Sequence, residues 1–149
     1  MEETIDIDEI FMRKALEQAQ YAFDEDEVPI GAVIVHKNKI VGKGYNQTEK
    51  LKDVTAHAEM LAITSASSTL STKYLDQCTM YISIEPCIMC AGAIKHARLG
   101  KIVIGASEPK TGFSKFLKED FNNSTEVKSG VLESECAAIM KSFFKKKRD

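Results

Sequence analysis

Residues 79–104 constrain the fold most. Two short β-branched segments, 79–84 and 101–104, flank a stretch that Pro86 opens as a helix, that runs to about Arg98 and that Gly100 ends. A helical crossover between two strands places them side by side and parallel, so the chain is expected to be an α/β protein.

The rest of the sequence fits the same plan. From Asp6, which with Glu9 resembles a capping box, Met12, Ala15, Leu16, Ala19, Ala22 and Phe23 repeat at helical spacing and stop near the acidic run 24–27. Segments 30–36 and 40–46 read as a hairpin around Lys37-Asn38-Lys39. Thr55 is a candidate N-cap for a helix through Ala66. Residues 105–124 are irregular, with Phe113, Phe116, Leu117 and Phe121 among Gly, Pro, Asn and Ser, and so long a stretch is usually functional. Segment 127–131 is expected to add a strand. Residues 133–147 form a last helix with Ala137, Met140, Phe143 and Phe144 on one face. With 44% hydrophobic and 28% charged residues, the chain can bury a conventional core. The expectation is one domain over residues 1–149, in three α/β/α layers around a central sheet.

Segment 1–8 is acidic and lacks an apolar signal core, and no apolar run reaches bilayer length, so a cytoplasmic location without membrane insertion is expected. Four cysteines in that setting point to metal or redox chemistry rather than disulfides. The net charge is only −2, yet five basic residues fall within 141–148. Such a run is either a helix end favoured by the macrodipole or a contact for an anionic partner such as nucleic acid.

The residues that carry chemistry are His57, Glu59, Cys87 and Cys90. Cysteines three apart share a helix face, and a helix start favours their thiolate form. Pro86 suits the first helical position because its missing N–H needs no partner there. With His57 they offer three ligands to zinc and leave a fourth position open, as in catalytic sites. His57 and Glu59 would point about 200° apart in mid-helix, but in a first turn both can reach a site beyond the helix end. Zinc on His57, Cys87 and Cys90 would then generate hydroxide to attack an amidine-like ring carbon. Glu59 would carry protons to the ring nitrogen and the departing amine. Taken singly, the cysteines could be half of a zinc knuckle or a redox dithiol, and the histidine a core residue. Together they match the H-x-E…P-C-x-x-C pattern of zinc nucleobase deaminases. Cys78 and Cys136 are expected to be buried thiols, and His36 and His96 ordinary polar residues.

Beyond this pattern the chain resembles the bacterial tRNA-specific adenosine deaminases, the TadA family of the cytidine-deaminase-like superfamily. The resemblance runs through Val28-Pro29-Ile30-Gly31-Ala32-Val33, Gly44-Tyr45-Asn46, Thr55-Ala56-His57-Ala58-Glu59, the stretch from Glu85 to Ile94, Gly105-Ala106 and Lys110-Thr111-Gly112. It implies a cytidine deaminase-like fold with a mixed sheet of about five strands. It also implies a homodimer, one Zn²⁺ per subunit, and conversion of the wobble adenosine of a tRNA anticodon stem-loop to inosine. Carried over by position, His57, Cys87 and Cys90 bind the metal and Glu59 transfers protons. Asn46 and the Ala58 N–H contact the base, with Val28, Ile30 and Pro86 around it. Lys145, Lys146, Lys147 and Arg148 become phosphate contacts, and Lys110 a further RNA-binding residue. Residues 113–116 depart from the small residues common in the family, and their aromatics either stack on bases or pack in the core. The apolar residues of the helix from Pro86, including Ile88, Met89, Ala93 and Ile94, face either a second subunit or their own sheet. A deaminase of free guanine, cytosine or a nucleoside would share the zinc site, and a non-catalytic RNA-docking module would not need Glu59.

Overall fold

The structure, a computed structural model, describes residues 4–116 and 125–149. Leu117 and Phe121 lie outside the described residues, as does the side chain of Phe116. In chain order the elements are α1 (Ile7–Asp24), β1 (Gly31–His36), β2 (Lys39–Tyr45), α2 (Thr48–Leu51), α3 (Ala58–Leu70), β3 (Thr79–Ile84), α4 (Ile88–Ala97), β4 (Lys101–Ala106), α5 (Phe113–Phe116), β5 (Glu126–Ser129) and α6 (Glu133–Arg148). The strands form one sheet in the order β2-β1-β3-β4-β5. β1 runs antiparallel to β2 and β3, whereas β3, β4 and β5 are parallel, so the sheet is mixed and the crossover through α4 joins parallel neighbours as expected.

Strand periodicity builds the layers. Ala32 and Ile34 of β1, with Met80, Ile82, Ile102 and Ile104, point to one face and pack against Ala58, Ala62 and Ala66 of α3 and Ala91 and Ile94 of α4. Val33, Val35, Tyr81 and Val103 point to the other face, against Met12 and Ala15 of α1 and Cys136 of α6. Helix α3 sits against β2 with almost no side-chain spacer. A Cβ at Gly44 would stand 2.3 Å from the Ala58 carbonyl oxygen, so only glycine permits that approach. The start of α3, where the first candidate ligand lies, is therefore held by backbone contact with the sheet.

Helix boundaries depart from the sequence reading where side chains find other partners. Asp6 caps α1 as expected, its Oδ1 accepting from the N–H groups of Asp8 and Glu9. Thr55 does not cap α3: its N–H and hydroxyl both donate to Asp53 Oδ1, at 2.8 and 2.7 Å, and the helix begins only at Ala58. Pro86 is not the first residue of α4. Cys87 is its N-cap, and the Pro86 carbonyl accepts from the Phe113 N–H at 2.8 Å. Nor does Gly100 end α4, since Arg98 takes the left-handed cap with φ 58°. Gly100 instead allows close passage of the chain, because a Cβ there would lie 2.4 Å from the Asp76 carbonyl oxygen. The last strand ends at Ser129 rather than Val131.

A polar contact fastens α1 across the sheet. Asp8 accepts from the Tyr81 hydroxyl at 2.8 Å and from Lys128 Nζ at 2.6 Å. Burial raises the Asp8 pKa, but the hydrogen bonds from Lys128 and Tyr81 outweigh it and hold the carboxyl below its ordinary value. A depressed carboxylate contributes stability above its unfolded pKa and loses that contribution as pH falls through the native value. Tyr81→Phe is expected to cost about 1 kcal/mol at neutral pH. Urea midpoints of the two proteins should converge in strong acid, and a gap independent of pH would show that the hydroxyl contributes in some other way.

No helix among the described residues is long and apolar enough to cross a membrane.

Candidate active site

Two helix N-termini converge on three soft donors. His57 is the N-cap of α3 and Cys87 the N-cap of α4, both in extended backbone conformation, and neither side chain turns back to cap its helix. Cys90 lies in the first turn of α4. His57 Nδ1 stands 3.7 Å from Cys87 Sγ and 3.5 Å from Cys90 Sγ, and all three donor atoms lie within 4.8 Å of one another. A tetrahedral zinc ion with bonds of about 2.0 Å to nitrogen and 2.3 Å to sulfur separates such donors by about 3.6 Å. The donor set therefore fits a metal ion. Among the described residues no fourth histidine, cysteine or carboxylate joins it.

The electrostatics favour thiolate at Cys87. Cys87 is pulled down to about 3 by its hydrogen bond with Cys90 and by His57. That bond, with burial, pushes Cys90 well above the usual thiol range. Cys87 in turn raises the His57 pKa against the opposing effect of burial.

Glu59, second residue of α3, is 3% exposed. Its Oε1 is the one fully buried side-chain polar atom without a hydrogen-bond partner among the described residues. Burial pushes its carboxyl up to about 7, with its own backbone N–H and then His57 acting the other way. An orphaned carboxylate oxygen costs free energy unless something arriving at the site engages it.

Asn46 follows β2 and is 6% exposed. Its Oδ1 accepts from the Ala58 N–H at 2.8 Å. The Ala58 N–H, expected to contact the base, is engaged by Asn46 in this structure. The same bond sets the amide orientation, so Asn46 offers its Nδ2 as the remaining donor. The Asn46 N–H donates to the Ile30 carbonyl at 3.2 Å, which ties it to the strip carrying Val28 and Ile30, both partly exposed, while Pro86 is buried.

The loop bearing Lys110-Thr111-Gly112 is fastened to the metal-ligand segment by Glu85. Its Oε1 accepts from the Glu108 N–H at 3.2 Å, and its Oε2 accepts from the Ser114 N–H and hydroxyl at 2.9 and 2.6 Å. A Cβ at Gly112 would stand 2.4 Å from the Glu85 carboxyl carbon. Phe113 is 5% exposed and packs in the core, so it is not a stacking platform.

The basic C-terminus divides. Lys147 does not stand free for phosphate, since its Nζ donates to Asp26 at 2.7 Å, and Lys146 Nζ lies 5.3 Å from the centre of the Phe23 ring. Lys145 is exposed on the last turn of α6. Arg148 and Lys110 line a groove of about 760 Å³ between residues 108–111 and α6. Lys141 lines it with them, around Met140, Phe144 and Pro109, and Glu108 lines it as well. Sequence reading counted Lys141 in the basic run but did not single it out, although Lys141, Phe144 and Arg148 recur at helical spacing. On α4, Ile88 is 51% exposed whereas Ile94 is buried in its own subunit, so that helix's apolar residues face both ways.

This architecture and this donor set are those of deaminases with a cytidine deaminase-like fold. The model of the MafB19-like deaminase family matches residues 6–148. A tRNA-specific adenosine deaminase of Bacillus subtilis is 43% identical over 146 residues, covering 95% of this chain and 91% of that protein. A solved structure from a study of A-to-I editing by tRNA:A34 deaminases at the wobble position superposes with a TM-score of 0.80 at 39% identity, covering 87% of this chain and 98% of that one. A guanine deaminase from Bacillus subtilis superposes with a TM-score of 0.66 at 36% identity, covering 74% of each chain. The chain belongs to the family of tRNA-specific adenosine deaminases.

Proposed function

We propose that this chain hydrolytically deaminates the wobble adenosine, position 34, of a tRNA anticodon to inosine and ammonia, with one zinc ion per subunit on His57, Cys87 and Cys90. The observation that carries this reading is the orphaned Oε1 of Glu59 beside a three-donor cluster that no fourth side chain completes among the described residues. A closed structural metal site has no use for such an acid. A homodimer and a cytoplasmic location are carried with this reading.

When bound, zinc supplies the Lewis acidity that makes water nucleophilic at neutral pH. Glu59 takes a proton from the attacking water and delivers it to the ring nitrogen next to the reacting carbon, then takes the remaining proton from the new hydroxyl and passes it to the departing amine. Asn46 Nδ2 donates to an acceptor on the base edge while Oδ1 stays anchored to Ala58. Val28, Ile30 and Pro86 offer apolar contact to the ring and exclude water. An anticodon-loop adenine is more easily extruded than one in a duplex, because less stacking and pairing must be broken. The groove of Lys110, Lys141 and Arg148 around Phe144 offers cations and an aromatic face to the rest of the loop.

The test is inosine formation from an anticodon stem-loop bearing a wobble adenosine, run beside free guanine, cytosine and adenosine. Turnover of the stem-loop alone is expected, and turnover of a free base without the RNA would overturn the reading. In the same assay Lys141→Ala and Arg148→Ala should each raise KM for the stem-loop and reduce the slope of its salt dependence by about 0.7 to 0.9 for each phosphate no longer neutralised. An unchanged slope would remove that cation from the interface.

A further inference from the structure

Glu27 is 2% exposed, and no ion pair to it occurs among the described residues. Helix α2 lacks a side-chain cap of its own, since its N-cap Gln47 makes no such bond. Glu27 supplies the cap from far along the chain. Its Oε1 accepts from the Glu49 N–H at 3.1 Å and stands 3.5 Å from the Thr48 hydroxyl, and its Oε2 accepts from the Lys50 N–H at 2.7 Å. A buried carboxylate is expensive unless its oxygens are satisfied, and the free N–H groups of a helix start satisfy them well.

Asn46 stands two residues before α2. On its other side Tyr45 donates its hydroxyl to Glu25 Oε2 at 2.5 Å, and Lys50 Nζ donates to Glu25 Oε1 at 3.0 Å. The segment 25–27 thus grips residues 45–50 at both ends, and Asn46 bonds onward to Ala58, the neighbour of His57. The Glu25 contacts are exposed and cost little to break, so the buried Glu27 bonds hold the segment. Two N–H groups and a hydroxyl meet one side chain here, and a carboxamide in its place offers only one acceptor oxygen.

We infer that Glu27 is a positioning residue for the target base: by capping α2 it fixes the backbone that aims Asn46 Nδ2 into the site. This rests on the reading of Asn46 as a base contact.

A double-mutant cycle in the stem-loop assay tests it, using Glu27→Gln, Asn46→Ala and the double variant, with metal content and backbone amide exchange measured on each. Glu27→Gln should lower kcat/KM about tenfold, retain wild-type metal content and speed exchange at Glu49 and Lys50. In the Asn46→Ala background the same change should cost almost nothing further. Multiplying losses would overturn the positioning role and leave only a structural one. If Asn46→Ala by itself leaves kcat/KM intact, the base-contact reading fails first and the inference falls with it. Glu27→Asp keeps the charge with a shorter reach. It should give a smaller loss that also vanishes without Asn46, so the cycle can be read even where the Gln variant does not fold.

Discussion

Glu59→Gln is expected to lower kcat on a wobble-adenosine stem-loop by about 10²- to 10⁴-fold, the usual contribution of a positioned general acid–base. The substitution suits this site because a carboxamide has nearly the same shape as the carboxylic acid. The side chain is enclosed at the start of α3, so no cavity opens and the packing is kept. The change removes only the ability to take up and return a proton. Since Glu59 is not among the three clustered donors, metal content should stay at the wild-type level. Loss of metal together with activity would make Glu59 a ligand, and an undiminished rate would remove it from proton transfer.

Cys90→Ala is expected to abolish activity and metal binding together. Cys90 is fully buried in the first turn of α4, and without it two donors remain where a tightly held ion needs at least three from the protein. The loss also has a thermodynamic reading. An ion that binds only the folded chain stabilises it by about 4 kcal/mol at a thousand times its Kd. A chelator should therefore lower the melting temperature of the wild type while leaving that of Cys90→Ala almost unmoved. Equal responses would mean that the ion sits elsewhere.

The parts of this molecule that were legible in its sequence are those encoded over short separations. The strand–helix–strand unit at 79–104 and the Cys87/Cys90 pair each depend on residues a few positions apart, and the parallel β3–β4 pairing and the sulfur face of α4 follow from them. His57 lies thirty positions from Cys87, but both stand at the N-cap positions of helices of one layer, so placing each near a helix start was enough to bring them together even though the exact first residues differ. What sequence spacing could not show were bonds to distant partners. Glu27 reads as one more acid in a charged run until its carboxylate is seen capping α2. Lys147 reads as a free cation, but Asp26 engages it from 121 positions away. The Ala58 N–H reads as a vacant helix-start donor, yet Asn46 reaches it from a neighbouring strand end. Thr55 failed as a helix start for a local reason, capture by Asp53, whereas at Pro86 the distant return of the chain at Phe113 used the carbonyl.

The most direct measurement is metal-edge X-ray absorption on protein that is actively forming inosine, combined with elemental analysis. One zinc per chain is expected, bound by two sulfurs, one imidazole nitrogen and a fourth light donor that persists in Glu59→Gln. A third sulfur in the coordination shell, or full activity in protein free of metal, would contradict an open three-ligand site served by a carboxylate that does not bind the ion.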